Sequence, residues 1–312
     1  MSLDLPALAA ATATHGAVVR VLVLRTMGST PRERDTAMLL WPGGQQGTIG
    51  GGTLEWEAIT RARAMLREGR EREVETLPLG PALGQCCGGS VTILLERFTR
   101  ETLPAALPWA RPLGPPQARG ARLEAVLAGW RAGQPSAEVD GWLIEGPPLP
   151  GRPLWIWGAG HVGQALVEVL GPLPFLAITW ADVAPERFPA LSPRAAANVT
   201  LLPGTDLPRL AVHAPVEAEH LILTMSHDID LALCHVLLRH GFAACGLIGS
   251  ETKRKRFRSR LAQLGHSPAE IARIACPIGD PAMGKHPQAI AVSVAAALLM
   301  RESAAVREDR AG

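Results

Sequence analysis

The chain has no tyrosine and only five phenylalanines in 312 residues. A nicotinamide-dependent oxidoreductase working through a catalytic Lys/Tyr pair is therefore excluded. An excess of one charge is also missing. The 31 Lys and Arg residues stand against 29 Asp and Glu, for a formal net charge of +2. That removes any global electrostatic case for nucleic acid binding. Long apolar runs are absent as well. The opening MSLDLPALAAATATHGAVV carries no Lys or Arg before its Ala-rich stretch, and Asp4 and Pro6 interrupt it, so it is not read as a secretory signal. The run AIAVSVAAALLM at 289–300 is too short to span a bilayer and reads as a buried core helix. The five cysteines are an odd number without framework spacing, which excludes a disulfide scaffold. The expected setting is the cytoplasm, reducing and away from membranes, where thiols stay free.

What is present describes a folded protein: 47% of residues are hydrophobic and 19% charged. The length allows two domains with real cores. The expected fold class is α/β in three segments. Residues 1–100 read as a smaller α+β domain, with strands at AVVRVLVLRTMG, AMLLWP, VETLPL and SVTILLERF. In it GGQQG reads as a turn and TLEWEAITRARAMLREG as an amphipathic helix. Residues 101–152 are heavy in Pro and Gly and read as a linker with one short helix (Ala121–Trp130) and one strand (Gly141–Glu145). Residues 153–312 alternate strands and helices, which implies a Rossmann-like parallel sheet with helices on both faces.

Four stretches could carry chemistry. Gly158-Ala159-Gly160-His161-Val162-Gly163 matches GxGxxG between a strand and a helix, and Asp182 ends the next strand near the spacing of a ribose ligand. Backbone N–H groups and the helix dipole there suit a pyrophosphate; the plain alternative is a tight turn. Gly50-Gly51-Gly52 opens a helix in the other domain, where exposed N–H groups suit a phosphate or the glycines relieve a crowded turn. Glu55 follows in the first turn, favourable to the helix dipole. His227 follows a strand at the ligand-binding edge of the sheet, with Asp228 a candidate N-cap for a helix from about Asp230. The basic run from Lys253 to Arg260 reads as a solvated helix face, or as an anion site at Ser250 and Lys253.

Cys86 and Cys87 lie in GQCCGGS. A disulfide between neighbours is strained, and a zinc site needs a second spaced pair that the sequence lacks. Two readings stay open: small apolar residues in a tight turn, or thiolates presented by open backbone to a soft metal or to sulfur.

The segments GSTPRERDTAMLL (28–40), GTIGGGTLE (47–55), LGQCCGGSV (83–91), WGAGHVGQAL (157–166), TMSHDIDLAL (224–233), LIGSETKRKRF (247–257) and CPIG with GKHPQAIAVSVAAALL (276–299) resemble, in order, the xanthine dehydrogenase accessory proteins of the XdhC/CoxI family. The resemblance implies a chaperone rather than an enzyme. It would bind the molybdenum cofactor (Mo-molybdopterin), protect it, and promote its sulfuration with a NifS-like cysteine desulfurase. It would then insert it into xanthine dehydrogenase. The implied site joins Cys86 and Cys87, in contact with Mo, to Gly50, Gly51, Gly52, Gly158, Gly160, Gly163 and His227, in a cleft between the domains. A homodimer is the expected assembly. The competing reading, from GAGHVG and Asp182, is an NAD(P)-dependent oxidoreductase.

Overall fold

The computed structural model describes residues 3–79, 88–196 and 198–311, which divide into two units, Met1–Leu149 and Pro150–Gly312. The first is organised around β1 (Val18–Met27), apolar from Val18 to Leu24 except for Arg20. Its apolar continuity has a cause: both faces are covered. Val19, Val21 and Val23 pack against the buried side of a helix, while Leu22 and Leu24 pack with Leu94 and Leu143 on the other face. Arg20 shares that second face and is 3% exposed. Around β1 the strands β2 (Ala37–Trp41), β3 (Gly44–Gly47), β4 (Arg72–Pro78) and β5 (Ser90–Phe98) form a five-stranded antiparallel sheet, ordered β3-β2-β1-β5-β4. The covering helix is α2 (Gly52–Glu68). It buries Leu54, Ala58, Ala62 and Met65 at helical spacing and ends at Gly69 in the left-handed conformation. GGQQG, expected as a turn, supplies the edge strand β3.

Asp4 and Pro6 mark a helix start: in α1 (Leu5–His15) the Asp4 side chain accepts the Ala7 N–H at 2.9 Å, and Pro6 lies in the first turn. The stretch 101–152 is also more than a linker. It contains β6 (Trp109–Pro112), α3 (Ala121–Ala128), β7 (Ala137–Val139) and β8 (Trp142–Glu145), with an antiparallel sheet ordered β6-β8-β7. Leu123 of α3 packs there with Ala110, Val139, Trp142 and Ile144. The strands have three or four residues each, too few for a periodic signal among the surrounding prolines.

The second unit is a six-stranded parallel sheet of β9 (Arg152–Trp157), β10 (Leu176–Asp182), β11 (Val199–Pro203), β12 (Glu219–Ile222), β13 (Ala244–Leu247) and β14 (Ile274–Ala275). Its order is β11-β10-β9-β12-β13-β14. Counted within the unit this is the 3-2-1-4-5-6 arrangement of dinucleotide-binding sheets, reversing direction between β9 and β12. One face packs α4 (His161–Leu170) and α10 (Pro287–Ala311), with α5 (Pro193–Ala196) beside α4. The other packs α6 (Leu207–Ala211), α7 (His227–His240), α8 (Glu251–Gln263) and α9 (Pro268–Ala272). Helices cover both faces, as the alternation implied. The run 289–300 is a one-sided helix. Ala291, Val294, Ala295 and Leu298 are buried, while Val292, Leu299 and Met300 are exposed.

His220 on β12 is 1% exposed among Trp155, Trp157 and Phe242. Its Nδ1 accepts the Trp157 indole N–H at 3.1 Å, and its Nε2 has no hydrogen-bond partner among the described residues. Burial, helped by His240, holds its pKa down to about 4. The unfolded chain takes up this proton below about pH 6.5, while the folded unit does not until about 4. Stability is therefore whole above pH 6.5 and falls toward pH 4, by on the order of 3 kcal/mol. His220→Phe should flatten that loss in urea unfolding followed by tryptophan fluorescence at pH 7 and pH 5. An unchanged slope in the variant would count against it.

Candidate functional site

Because neighbouring strands are antiparallel, the ends of β1, β3 and β4 and the start of β5 all fall at one end of the first sheet. Three of the motif segments meet there. Gly28 has φ +70°, and a Cβ on it would lie 3.1 Å from the Gly89 Cα. A Cβ on Gly89 would lie 2.3 Å from the Met27 oxygen and 2.6 Å from the Ser29 oxygen. The same 28–35 loop reaches the glycine turn: Gly50 has φ +124°, and its Cβ would come within 2.8 Å of the Pro31 side chain. Asp35 anchors the loop by accepting the Ser136 N–H at 3.0 Å and its hydroxyl at 2.5 Å. Cys86 and Cys87 lie outside the described residues. On either side of them, the Leu79 N–H donates to the Gly89 oxygen at 2.8 Å.

The glycine turn is organised by Glu55. Its carboxylate accepts the Thr48 hydroxyl at 2.5 Å and the N–H groups of Ile49 and Gly51 at 3.0 and 3.1 Å. Gln45 donates to it at 3.2 Å. Burial alone would raise this carboxyl, but those hydrogen bonds outweigh it and hold the pKa below the usual range. The Gly50 N–H goes to the Thr48 hydroxyl at 3.1 Å. Donors that the sequence offers to a phosphate are thus directed to the chain's own groups.

In the second unit, Gly158 and the Thr224–His227 segment follow β9 and β12, where the strand order reverses. Gly158 has φ +119°, and a Cβ would lie 2.5 Å from the Leu223 oxygen. A Cβ on Gly163 would lie 2.1 Å from the Gly158 oxygen. Both glycines have internal reasons. Gly160 has none: its φ is −74°, and a Cβ would meet nothing within 4 Å. It caps α4 with no side-chain hydrogen bond. Asp182 turns inward, 4% exposed, and accepts the N–H groups of Ala159 and of Val183, the latter at 2.6 Å.

The comparisons bear on this arrangement. Residues 154–298 match the family described as the XdhC Rossmann domain, and residues 11–77 match the XdhC and CoxI family. The chain carries an XdhC and CoxI segment and an XdhC Rossmann domain. The family's Rossmann domain is the parallel-sheet unit described above. Among curated proteins, the uncharacterized protein YqeB of Escherichia coli (strain K12) is 24% identical over 281 residues. The match covers 89% of this chain and 42% of YqeB, so the chain spans less than half of that relative. Among solved structures, a xanthine dehydrogenase from Bacillus halodurans shares the fold. Its TM-score is 0.66 at 22% identity, covering 96% of this chain and 95% of the other.

His227 is the exposed first residue of α7, edge-on to Phe257 with centroids 6.4 Å apart. The α7 cap is Ser226, not Asp228, which instead pairs with Arg260 at 3.2 Å. Sequence reasoning missed Asp230. Fully buried, it accepts the Thr224 N–H at 3.0 Å and hydroxyl at 2.7 Å, and pairs with Lys253 at 2.6 Å. The available signal was an acid beside Leu231, Leu233 and Cys234 on an otherwise apolar helix face. Lys253 is thereby structural, while Ser250 caps α8. Cys234, Cys245 and Cys276, scattered in sequence, lie in one buried cluster as free thiols. Burial raises all three, Cys245 to about 12. They are protonated and poor nucleophiles. Among the described residues no group of three His, Cys, Asp or Glu is placed to hold a metal. No helix among them is long and apolar enough to cross a membrane.

Proposed function

We propose that this protein is an accessory protein that binds the molybdenum cofactor, favours its sulfuration and passes it to xanthine dehydrogenase. The observation that carries the reading is the meeting of the 28–35 loop, the 47–55 turn and the Gly88–Gly89 end of the cysteine segment at one end of the first sheet. Cys86 and Cys87 would meet the soft metal or its sulfur, with His227 a further contact. Gly160 would admit the phosphate of the cofactor, because the space a Cβ would take is open and the uncapped start of α4 favours an anion. The glycines at 50–52, held by Glu55, would set the shape of the thiol-bearing edge. The bound cofactor would supply the molybdenum centre on which oxo and sulfido ligands exchange. A cysteine desulfurase as sulfur donor and a homodimeric assembly complete the proposal, and the chain itself acts as carrier rather than catalyst.

The oxidoreductase alternative loses support from Asp182. Its carboxylate is engaged with backbone N–H groups and is not presented to a ribose.

Purification from a host that makes the cofactor, followed by oxidation, should release a fluorescent pterin derivative in near-stoichiometric amount. Cys86→Ala, Cys87→Ala or both should lower pterin content or sulfuration by about tenfold, a loss of about 1.4 kcal/mol. A preparation without pterin that also fails to take up added cofactor sinks the proposal. Unchanged behaviour in both variants removes the thiols from it. Heat on titration with NAD or NADP, with substrate-dependent hydride transfer, would restore the alternative.

A further inference from the structure

A second site lies under α8, on the sheet face away from α4. The helix reads ETKRKRFRSRLAQ, and of its residues only Phe257 and Leu261 are buried. With so little to anchor it, the helix leaves a cavity of about 320 Å³ against β13, β14 and α9. The walls are Leu247, Phe257, Leu261 and Ile271, with the side chains of Arg254 and Arg258 also lining it. That volume is at the lower end of the range of small-molecule sites, roughly 300–1,000 Å³. Apolar walls with a few convergent polar groups are the usual make-up of such sites.

Of the two arginines at this cavity, one is compensated and one is not. Lys253 is neutralised by Asp230 and Arg260 by Asp228, and Arg254 meets Glu251 at 3.5 Å. Lys255, Arg256 and Arg258 have no ion pair among the described residues. Arg258, which lines the cavity, is exposed and offers a planar fork suited to a carboxylate, sulfonate or phosphate. The cavity thiols Cys234 and Cys276 are held in the neutral form by burial, only partly offset at Cys276 by Lys253 and Arg254. They contribute apolar wall rather than thiolate, and among the described residues no group of three His, Cys, Asp or Glu is placed to hold a metal.

We propose that this cavity binds a small organic anion. Its apolar body would lie against Phe257, Leu261 and Ile271, and its anionic group would meet Arg258 and Arg254. A void beneath a helix with two apolar anchors forfeits packing energy, and such a ligand restores it. The site is independent of the molybdenum reading and uses none of its residues.

The test is a fluorescence titration of the full chain with 8-anilinonaphthalene-1-sulfonate, an anion with an apolar body. In parallel, N-phenyl-1-naphthylamine supplies the apolar body without the charge. One saturable site per chain is expected for the sulfonate. The double change Arg254→Gln and Arg258→Gln alters two exposed side chains, so the fold is retained. It should weaken the sulfonate by at least about tenfold while leaving the neutral probe within about twofold. Ala272→Phe, at an exposed wall position, should weaken both probes. The proposal is overturned if the arginine variant binds the sulfonate as the parent does. It is also overturned if both probes bind the Ala272→Phe protein unchanged, or if binding never saturates.

Discussion

Gly163→Ala should abolish the folded second unit at ordinary temperature, while Gly160→Ala should fold normally and lose the cofactor. The contrast follows from what a Cβ meets at each position. At Gly163 it would lie 2.1 Å from the Gly158 carbonyl oxygen and 3.1 Å from the carbon of the same group. Both partners are backbone, fixed by β9 and by the turn, so no side chain can swing aside. Gly158 cannot retreat either, because its own position is closed by the Leu223 oxygen. The cost should exceed about 4 kcal/mol, at the extreme of single substitutions and a large share of the 5–15 kcal/mol that holds a typical domain together. At Gly160 the backbone is ordinary and the space open. Alanine there gives up a little as an N-cap, by about 1 kcal/mol. It recovers about 0.4–1 kcal/mol from the smaller freedom of the unfolded chain. Thermal unfolding by circular dichroism and pterin content measure the two halves separately. A Gly163→Ala protein within about 1 kcal/mol of the parent would show that the turn yields. A Gly160→Ala protein with full pterin content would show that no phosphate approaches there.

That difference among three glycines was not legible in the sequence, where all three match one pattern. The pattern located the turn, because a strand before it and a helix after it are local features. Gly158 is closed by Leu223 and Thr224, some 60 residues along, and Gly163 by the Gly158 oxygen, while a Cβ at Gly160 would meet nothing within 4 Å. The same limit explains Asp182 and Glu55. Each carboxylate stands where the sequence suggests a ligand contact or a dipole effect, yet each closes its own glycine turn by accepting N–H groups. The alternation of strands and helices after Pro153 was readable because five repeats of one pattern reinforce each other, while the two-residue β14 was not read. Strands of three or four residues among prolines offer no such reinforcement: of the small sheet only β8 was expected, as the strand Gly141–Glu145, and β6 and β7 went unread. For GQCCGGS, sequence established two thiols between glycines. The structure adds why Gly89 must be glycine: the backbone of Met27 and Ser29 presses against it.

The small sheet also predicts the first unit's response to acid. Glu145 on β8 is 1% exposed. It accepts both forks of Arg20 from β1, at 2.9 and 2.7 Å, and a further bond from Arg111 of β6. Arg111 in turn grips Glu96 of β5 at 2.9 and 2.5 Å. Glu145→Gln keeps the shape and removes the charge, leaving two buried guanidiniums to share Glu96. Breaking a buried pair in this way costs about 3–5 kcal/mol. The pH dependence follows from the same contacts. Burial pushes the Glu145 carboxyl up, but Arg20 and Arg111 outweigh it and hold the pKa at about 2. The unfolded chain takes up this proton below about pH 4.3, and the folded unit does not until about 2. The contribution is thus whole above pH 4.3 and lost as the pH falls toward 2, by on the order of 3 kcal/mol. His220 loses most of its contribution to the second unit between pH 6.5 and 4.3, above the range in which Glu145 loses its own. Guanidinium unfolding at pH 7, 5 and 3 should therefore weaken the second unit first. The loss between pH 4.3 and 2 should be absent from Glu145→Gln. If the variant unfolds within about 1 kcal/mol of the parent at pH 7, the network does not bind the small sheet to β1.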